Sequence, residues 1–232
     1  MPKIRFDSHC HTLYSDGCVD LKELINLAKY HKFPLITKTD HNTTKGNQAL
    51  KRLAEQNGLL FIPGVEISTK EGHLLAFGIM NWKRSDGGKG MQDQIDKVLD
   101  LGGAPIIAHP YWQGGLGEGI FKLKRFLGFE MLNHASPFGS LKLLKKAAKN
   151  PEMYNRFAKY AGSDSHAGKA YGYYFTEIDA KEKTADSILE GIFKQKTRFY
   201  GPTLDLGLWW EDGKKNQLYQ LKRQILKQKK SR

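Results

Sequence analysis

Short apolar runs in this chain end again and again on a histidine or an acidic side chain, and that recurrence restricts the folds open to it. Residues 4–6 lead to His9 and His11, residues 35–39 to Asp40 and His41, and the run 59–66 closes on Glu66 itself. Residues 106–108 precede His109, 129–132 precede His134, and 160–162 precede Asp164 and His166. Helical patterns lie between these runs. Leu21, Leu24, Ile25 and Ala28 stand at i, i+3, i+4 and i+7 with Asp20 placed as a cap, and further helices are expected at about 44–56, 91–101, 141–149 and 185–194. Two more strands are expected at 73–79 and 173–178, and a glycine-rich stretch, Gly87, Gly88 and Gly90, leads into the helix at 91. Strands alternating with helices through short joints argue for an α/β fold with a parallel sheet, and about seven such units suggest a closed or nearly closed barrel. The carboxyl ends of parallel barrel strands share one face, so the polar residues after the runs converge there. Six of the eight histidines would meet at that face.

Imidazoles together with carboxylates form the ligand set of Zn, Mn or Fe ions and carry too much nitrogen for a Mg²⁺ or Ca²⁺ cage. His9, His11, Asp16, His41, Glu66, His109, His134, Asp164 and His166 are more ligands than one ion uses. Two or three divalent metal ions about 3.5–4 Å apart fit such a set, with a carboxylate bridging. Clusters of this kind suit hydrolysis of a phosphate ester by a metal-activated water. Cys10 lies between two candidate ligands, but alternation along a strand turns it away from both. A lone His-x-His or Asp-His is weak evidence of a metal. The conjunction of all these pieces in one chain is what decides.

Composition narrows the class further. The apolar fraction is 40% and no run approaches the roughly 20 residues that span a bilayer, so no membrane segment is expected. The start of the chain runs straight into the first motif without a secretory pattern, and two cysteines, Cys10 and Cys18, are too few for a disulfide framework. A cytoplasmic location is the expectation. The net charge of +13 is concentrated at one end: residues 214–232 hold eight Lys or Arg and no acid. Leu218, Leu221, Ile225 and Leu226 recur there at helical spacing, giving a helix with an apolar edge and a basic face. Two readings stay open, a terminal helix docked by its leucines or a patch that attracts nucleic acid. Glu211-Asp212-Gly213 marks the expected boundary between a barrel over residues 1–212 and this tail, 213–232.

The motifs Asp7-Ser-His-Cys-His-Thr, Tyr14-Ser-Asp-Gly17, Thr39-Asp-His-Asn42, Gly64-Val-Glu66, Ala108-His-Pro110, Glu130-Met-Leu-Asn-His134 and Gly162-Ser-Asp-Ser-His166 together resemble the PHP domain, the polymerase and histidinol phosphatase family. The resemblance covers residues 4–170 and implies a distorted (β/α)7, TIM-like barrel with a trinuclear metal site. It implies that His9, His11, Glu66 and Asp164 hold one ion, that Glu66 bridges to a second held by His109 and His134, and that Asp16, His41 and His166 hold a third. Asp40 is read as a partner that orients a ligand imidazole. His73 matches a family position near the substrate, where it contacts phosphate or packs; His31 is read as structural. Lys38 departs from the family's apolar residue, and alternation puts it on the face of Asp40, so it pairs with Asp40 or contacts phosphate.

Only 43 positions separate Glu66 from His109, too few for the helical insertion of nucleotide-processing relatives. Gly114, Gly115, Gly117 and Gly119 suggest a mobile loop beside the site, and Tyr111 and Trp112 either stack on a substrate ring or pack. The function expected from this resemblance is a hydrolase acting on a small phosphorylated substrate, metabolite or nucleotide. The alternatives are a nuclease holding single-stranded nucleic acid with the basic tail, or a non-catalytic metal-stabilised module. The sequence says nothing of oligomeric state.

Overall fold

The computed structural model describes residues 1–83 and 89–230, apart from the side chains of residue 225 and of 227–230. Gly87 and Gly88 lie outside the described residues. The chain order is β1 (Lys3–Phe6), α1 (Leu21–Tyr30), β2 (Leu35–Ile36), α2 (Asn47–Gln56), β3 (Leu60–Phe61), β4 (Gly64–Thr69), β5 (Gly72–Phe77), α3 (Met91–Asp100) and β6 (Ala104–Ile107). Then follow β7 (Gly128–Asn133), α4 (Pro137–Lys149), α5 (Pro151–Tyr154), β8 (Ala158–Gly162), β9 (Phe175–Asp179), α6 (Ala185–Phe193), β10 (Thr197–Tyr200) and α7 (Leu206–Lys230).

Local chemistry explains where the elements begin. The Asp20 carboxylate accepts from the backbone N–H of Glu23 at 2.8 Å, so α1 starts where the cap predicts and buries Leu21, Leu24, Ile25 and Ala28. Helix α2 starts at Asn47, later than the expected residue 44. Gly46 adopts φ +86° against the Tyr14 ring, a left-handed turn that a helix cannot begin before. The run 59–66 splits at Pro63 into β3 and β4.

The strands form three sheets, β1-β9-β10, β2-β3 and β4-β5-β6-β7-β8, and these do not close into one ladder. The expected closed or nearly closed barrel with a parallel sheet is met only in part: the fold is mixed α/β and the sheets stay open. Among the described strands β2-β3 and β6-β7-β8 pair parallel, as do the isolated bridges, while β4-β5, β5-β6, β1-β9 and β9-β10 are antiparallel. The cause of the first departure is short: only Lys70 and Glu71 join β4 to β5, and a parallel crossover needs a dozen residues or more. Isolated bridges, Cys10 to Ser165 and His41 to Glu66, cross the seams between sheets.

One core lies where the three sheets meet, with Ile4, Phe6, Leu35, Phe77, Ile106 and Ile178 fully buried. A second fills the space between the five-stranded sheet and α3 and α4 through Ile67, Leu74, Ile95, Phe129 and Leu143. Among the described residues no helix is long and apolar enough to cross a membrane. Helix α7 begins at Leu206 and runs through Glu211–Gly213, so the expected boundary lies inside an element. The leucines of the expected tail do not dock it: Leu218, Leu221 and Leu226 are all more than half exposed, whereas Leu208, near the start of α7, packs against Leu132, Ala161 and Tyr174.

Candidate metal centre

Strand β1 delivers Asp7 to His11 into the junction of the sheets. Cys10 is buried and turned the other way, into the core beside α1 and α2, with its thiol 3.5 Å from the Thr37 carbonyl. His9 and His11 share the opposite face, and their Nε2 atoms stand 3.2 Å apart. Asp7 holds the segment in place by accepting from the N–H of Ser163 at 2.9 Å, of Gly172 at 3.0 Å and of His9 at 3.2 Å. Burial pushes its carboxyl up to about 7, against the pull of those bonds.

Glu66, fully buried on β4, is the hub. Its Oε2 lies 3.2 Å from His9 Nε2, 3.2 Å from His11 Nε2 and 3.0 Å from His41 Nδ1, yet that oxygen has no hydrogen-bond partner. Its Oε1 faces His73 Nδ1 at 2.9 Å and His109 Nε2 at 3.2 Å. Buried lone pairs that converge at contact distance without hydrogen-bond direction are what a metal site leaves when the donor set is built for cations. His11 Nδ1, His41 Nδ1 and His73 Nδ1 are likewise buried and unpartnered. The residues therefore fit the divalent ions that their chemistry implies.

Four ligand groups meet within 4.8 Å: His9, His11, Glu66 and Asp164; His11, Asp16, His41 and His166; His41, Glu66 and His73; and His9, His109 and Glu130. His11 Nε2 lies 3.0 Å from Asp164 Oδ1, and His166 Nε2 lies 3.2 Å from Asp16 Oδ2. Backbone strain marks the same places: His109, Asp164 and Asn42 all have positive φ, at +21°, +50° and +52°. His109 N–H donates to Glu130 Oε2 at 2.8 Å and Asp164 N–H to the His9 carbonyl at 2.6 Å, which holds two of these turns.

The electrostatics follow from crowding. Burial alone would lower the imidazoles, but Asp164, Glu66 and Glu130 overcome it at His9, raising it well above its ordinary value. Against the same burial, the adjacent Asp164 and Glu66 carboxylates raise His11 to about 10. Burial would raise Glu66 and Asp164, and the surrounding imidazoles instead hold both well below the carboxylate range. The carboxylates are thus charged ligands in waiting.

Several expectations meet a different geometry. His134 joins none of the four groups; it is buried against the Tyr174 ring, 5.5 Å away, and both its ring nitrogens are unpartnered. Asp40 accepts from Thr12 N, Thr12 Oγ1, Ser15 Oγ and Lys38 Nζ at 2.6–2.8 Å, so it fixes the loop between His11 and Asp16 rather than an imidazole. Lys38 is fully buried in that ion pair. The residue that does orient an imidazole is Glu130, whose Oε1 meets His9 Nδ1 at 3.1 Å. His73 stands inside the cluster because β5 is antiparallel, so its first residues, not its last, reach the site. Tyr111 packs, its hydroxyl 3.0 Å from that of Tyr154, whereas Trp112 is 46% exposed with its ring 6.0 Å from His73 and stacked on it. The glycine segment after His109 is closed by turns, Gly115 N–H to the Trp112 carbonyl at 2.8 Å and Gly117 N–H to the Pro110 carbonyl at 2.7 Å.

A mixed α/β protein with clustered histidines and carboxylates that could hold metal ions at the junction of its sheets is the class these features define. Comparison with known proteins specifies it: the PHP domain matches residues 7–228, and the chain belongs to that family. Members of the family are phosphoesterase hydrolases. An uncharacterized protein of Methanocaldococcus jannaschii is 30% identical over 135 residues, 52% of this chain and 77% of that one. The 5'-3' exoribonuclease Rnm of Escherichia coli is 38% identical over 66 residues, 28% of this chain but only 22% of the relative. A 3',5'-nucleoside bisphosphate phosphatase of Chromobacterium violaceum is 34% identical over 77 residues, 32% of this chain and 27% of its own length. Among solved structures, a two-domain protein of Bacteroides vulgatus containing a predicted PHP-like metal-dependent phosphoesterase superposes with a TM-score of 0.70 at 18% identity, covering 91% of this chain and 70% of that one.

Proposed function

We propose that the chain hydrolyses the phosphate ester of a small phosphorylated metabolite or nucleotide. The observation that carries this reading is the Glu66 carboxylate, with five imidazole nitrogens within 3.2 Å of its two oxygens. In this reading His9, His11, Glu66 and Asp164 hold one ion, Asp16, His41 and His166 an outer one, and Glu66 Oε1 with His109 a third position; Zn, Mn or Fe suits the donors. Such ions, when bound, supply a water of lowered pKa and neutralise charge on the phosphoryl oxygens and leaving group.

The protein's own groups do the rest. His73, with 23% of its side chain exposed beside Glu66, is placed to meet a phosphoryl oxygen. The Lys38–Asp40 pair keeps the loop bearing Asp16 in register. A cleft of about 650 Å³ opens directly from Asp16 and His41, lined further by Tyr14, Asn42, Lys45 and Trp82, and it is sized for the organic part of a small ester.

A nuclease reading has one observation of its own. Phe138 is 63% exposed and lines a groove with Lys142, Lys145 and Lys149 on α4, an aromatic and basic face suited to a nucleic acid strand. Assaying metal-loaded protein against phosphomonoesters, nucleoside bisphosphates and oligonucleotides from 50 to 200 mM salt separates the two readings. A small-ester hydrolase turns over the first two with little salt dependence; preference for oligonucleotides, falling steeply with salt, selects the nuclease. No turnover of any of them refutes both.

A further inference from the structure

The outer ligand group differs from the central one in how it is held. His9, Glu66 and Asp164 are nearly or fully buried at the junction of the sheets, whereas the Asp16 side chain is 49% exposed, that of His41 26% and that of His166 21%. Asp16 and His166 both sit on loops, and both loops are tied to the same distant element, α7.

Asp212, on α7, is 5% exposed, and its four hydrogen-bond partners among the described residues come from one loop. Its Oδ1 accepts from Ser165 Oγ at 2.6 Å, Lys169 N–H at 2.9 Å and Ala170 N–H at 3.3 Å; its Oδ2 accepts from His166 N–H at 3.1 Å. A carboxylate bonded mainly to backbone N–H groups fixes the course of the chain it touches. That loop carries the His166 ring, stacked 4.1 Å from His11. Further along α7, Lys215 Nζ donates to the Ala167 carbonyl at 2.7 Å. Gln220 Nε2 then donates to the Asp16 carbonyl at 2.5 Å, and Arg223 lies 3.5 Å from that of Ser15. One helix face therefore grips the loops on both sides of the outer group.

We infer that α7 is part of the frame of the metal centre, and that Asp212 is a positioning residue setting His166 for the outermost ion. This rests on the proposed metal reading but not on the identity of the substrate. Outer partners of metal ligands are worth about 10–100-fold in metal affinity or activity. Loss of Asp212 then weakens one ion selectively and leaves the central ligands as they were.

The test uses the full chain, stripped of metal and titrated with Mn²⁺ or Zn²⁺ by calorimetry, with bound metal counted by plasma emission. Asp212→Ala and Asp212→Asn are expected to weaken the loosest ion by about 10-fold or more, leave the tightest ion unchanged, and regain activity when metal is raised. Lys222→Ala, an exposed position on the same helix, is the control and should titrate like wild type. Should Asp212→Ala not fold, Gln220→Ala gives the same readout from the Asp16 side, with a smaller weakening of the same ion. Unchanged affinity for every ion, or equal weakening of all of them without rescue by metal, overturns the inference. Selective loss of one ion in a protein whose wild type cleaves no phosphate ester would keep the inference and reject the proposed function.

Discussion

Lys38 is a fully buried lysine paired with Asp40, 2.7 Å away and also fully buried. Removing one member of a buried pair strands the other, at about 3–5 kcal/mol. Lys38→Ile should therefore destabilise the protein by about that much in urea unfolding, and Asp40→Asn in the same background should recover part of the loss; an unchanged unfolding midpoint contradicts the pairing. This pair was legible from strand alternation, which puts residues 38 and 40 on one face. His134 shows where such reasoning stops. It follows an apolar run as the other candidate ligands do, but only tertiary packing shows its ring turned to Tyr174. Glu130 carries a signal in the sequence as well. An acid between Phe129 and Met131, both buried in an apolar core, needs partners, and it finds them in His9 and the N–H of His109.

At the scale of elements, β9 holds the three-stranded sheet partly through charge. Burial would raise the Glu177 carboxyl, but Arg5 at 3.0 Å, Lys3 at 3.6 Å and Arg198 at 3.3 Å more than offset this and hold it below its ordinary value. A carboxylate lowered in the folded state stabilises above its unfolded pKa, about 4.3 for Glu, and that contribution disappears as pH falls through the folded value. In metal-free protein, melting temperature should fall on acidification from pH 5 to pH 3 more steeply for wild type than for Glu177→Gln; parallel curves contradict this. The elements themselves were largely readable, with Asp20 and the helical spacing of α1 the clearest case. Pairing direction was not. Apolar runs look alike whether a strand runs with or against its neighbour, and only the two-residue joint between β4 and β5 signals the reversal that carries His73 to the site.

At the scale of the whole molecule, the end of the chain returns to the site assembled from its first 166 residues. The basic, leucine-spaced tail reads in sequence as an appendage, because α7 is anchored by Asp212 to a loop more than forty residues earlier and by Lys215 and Gln220 to the carbonyls of Ala167 and Asp16, and such contacts leave no local pattern. The leucines that suggested docking stay exposed, and polar side chains, with Leu208 nearer the start of α7, make the attachment. Three sheets and two strained turns, at His109 and at Asp164, converge on Glu66, and α7 ties down the loops that carry Asp16 and His166. The direct measurement is metal content and phosphate-ester hydrolysis of wild type and Glu66→Ala, purified alike and loaded with the same divalent metal. Wild type should hold two or three ions per chain and hydrolyse; the variant should hold at least one ion fewer and be slower by about 100-fold or more. Equal metal content with undiminished hydrolysis would contradict the account.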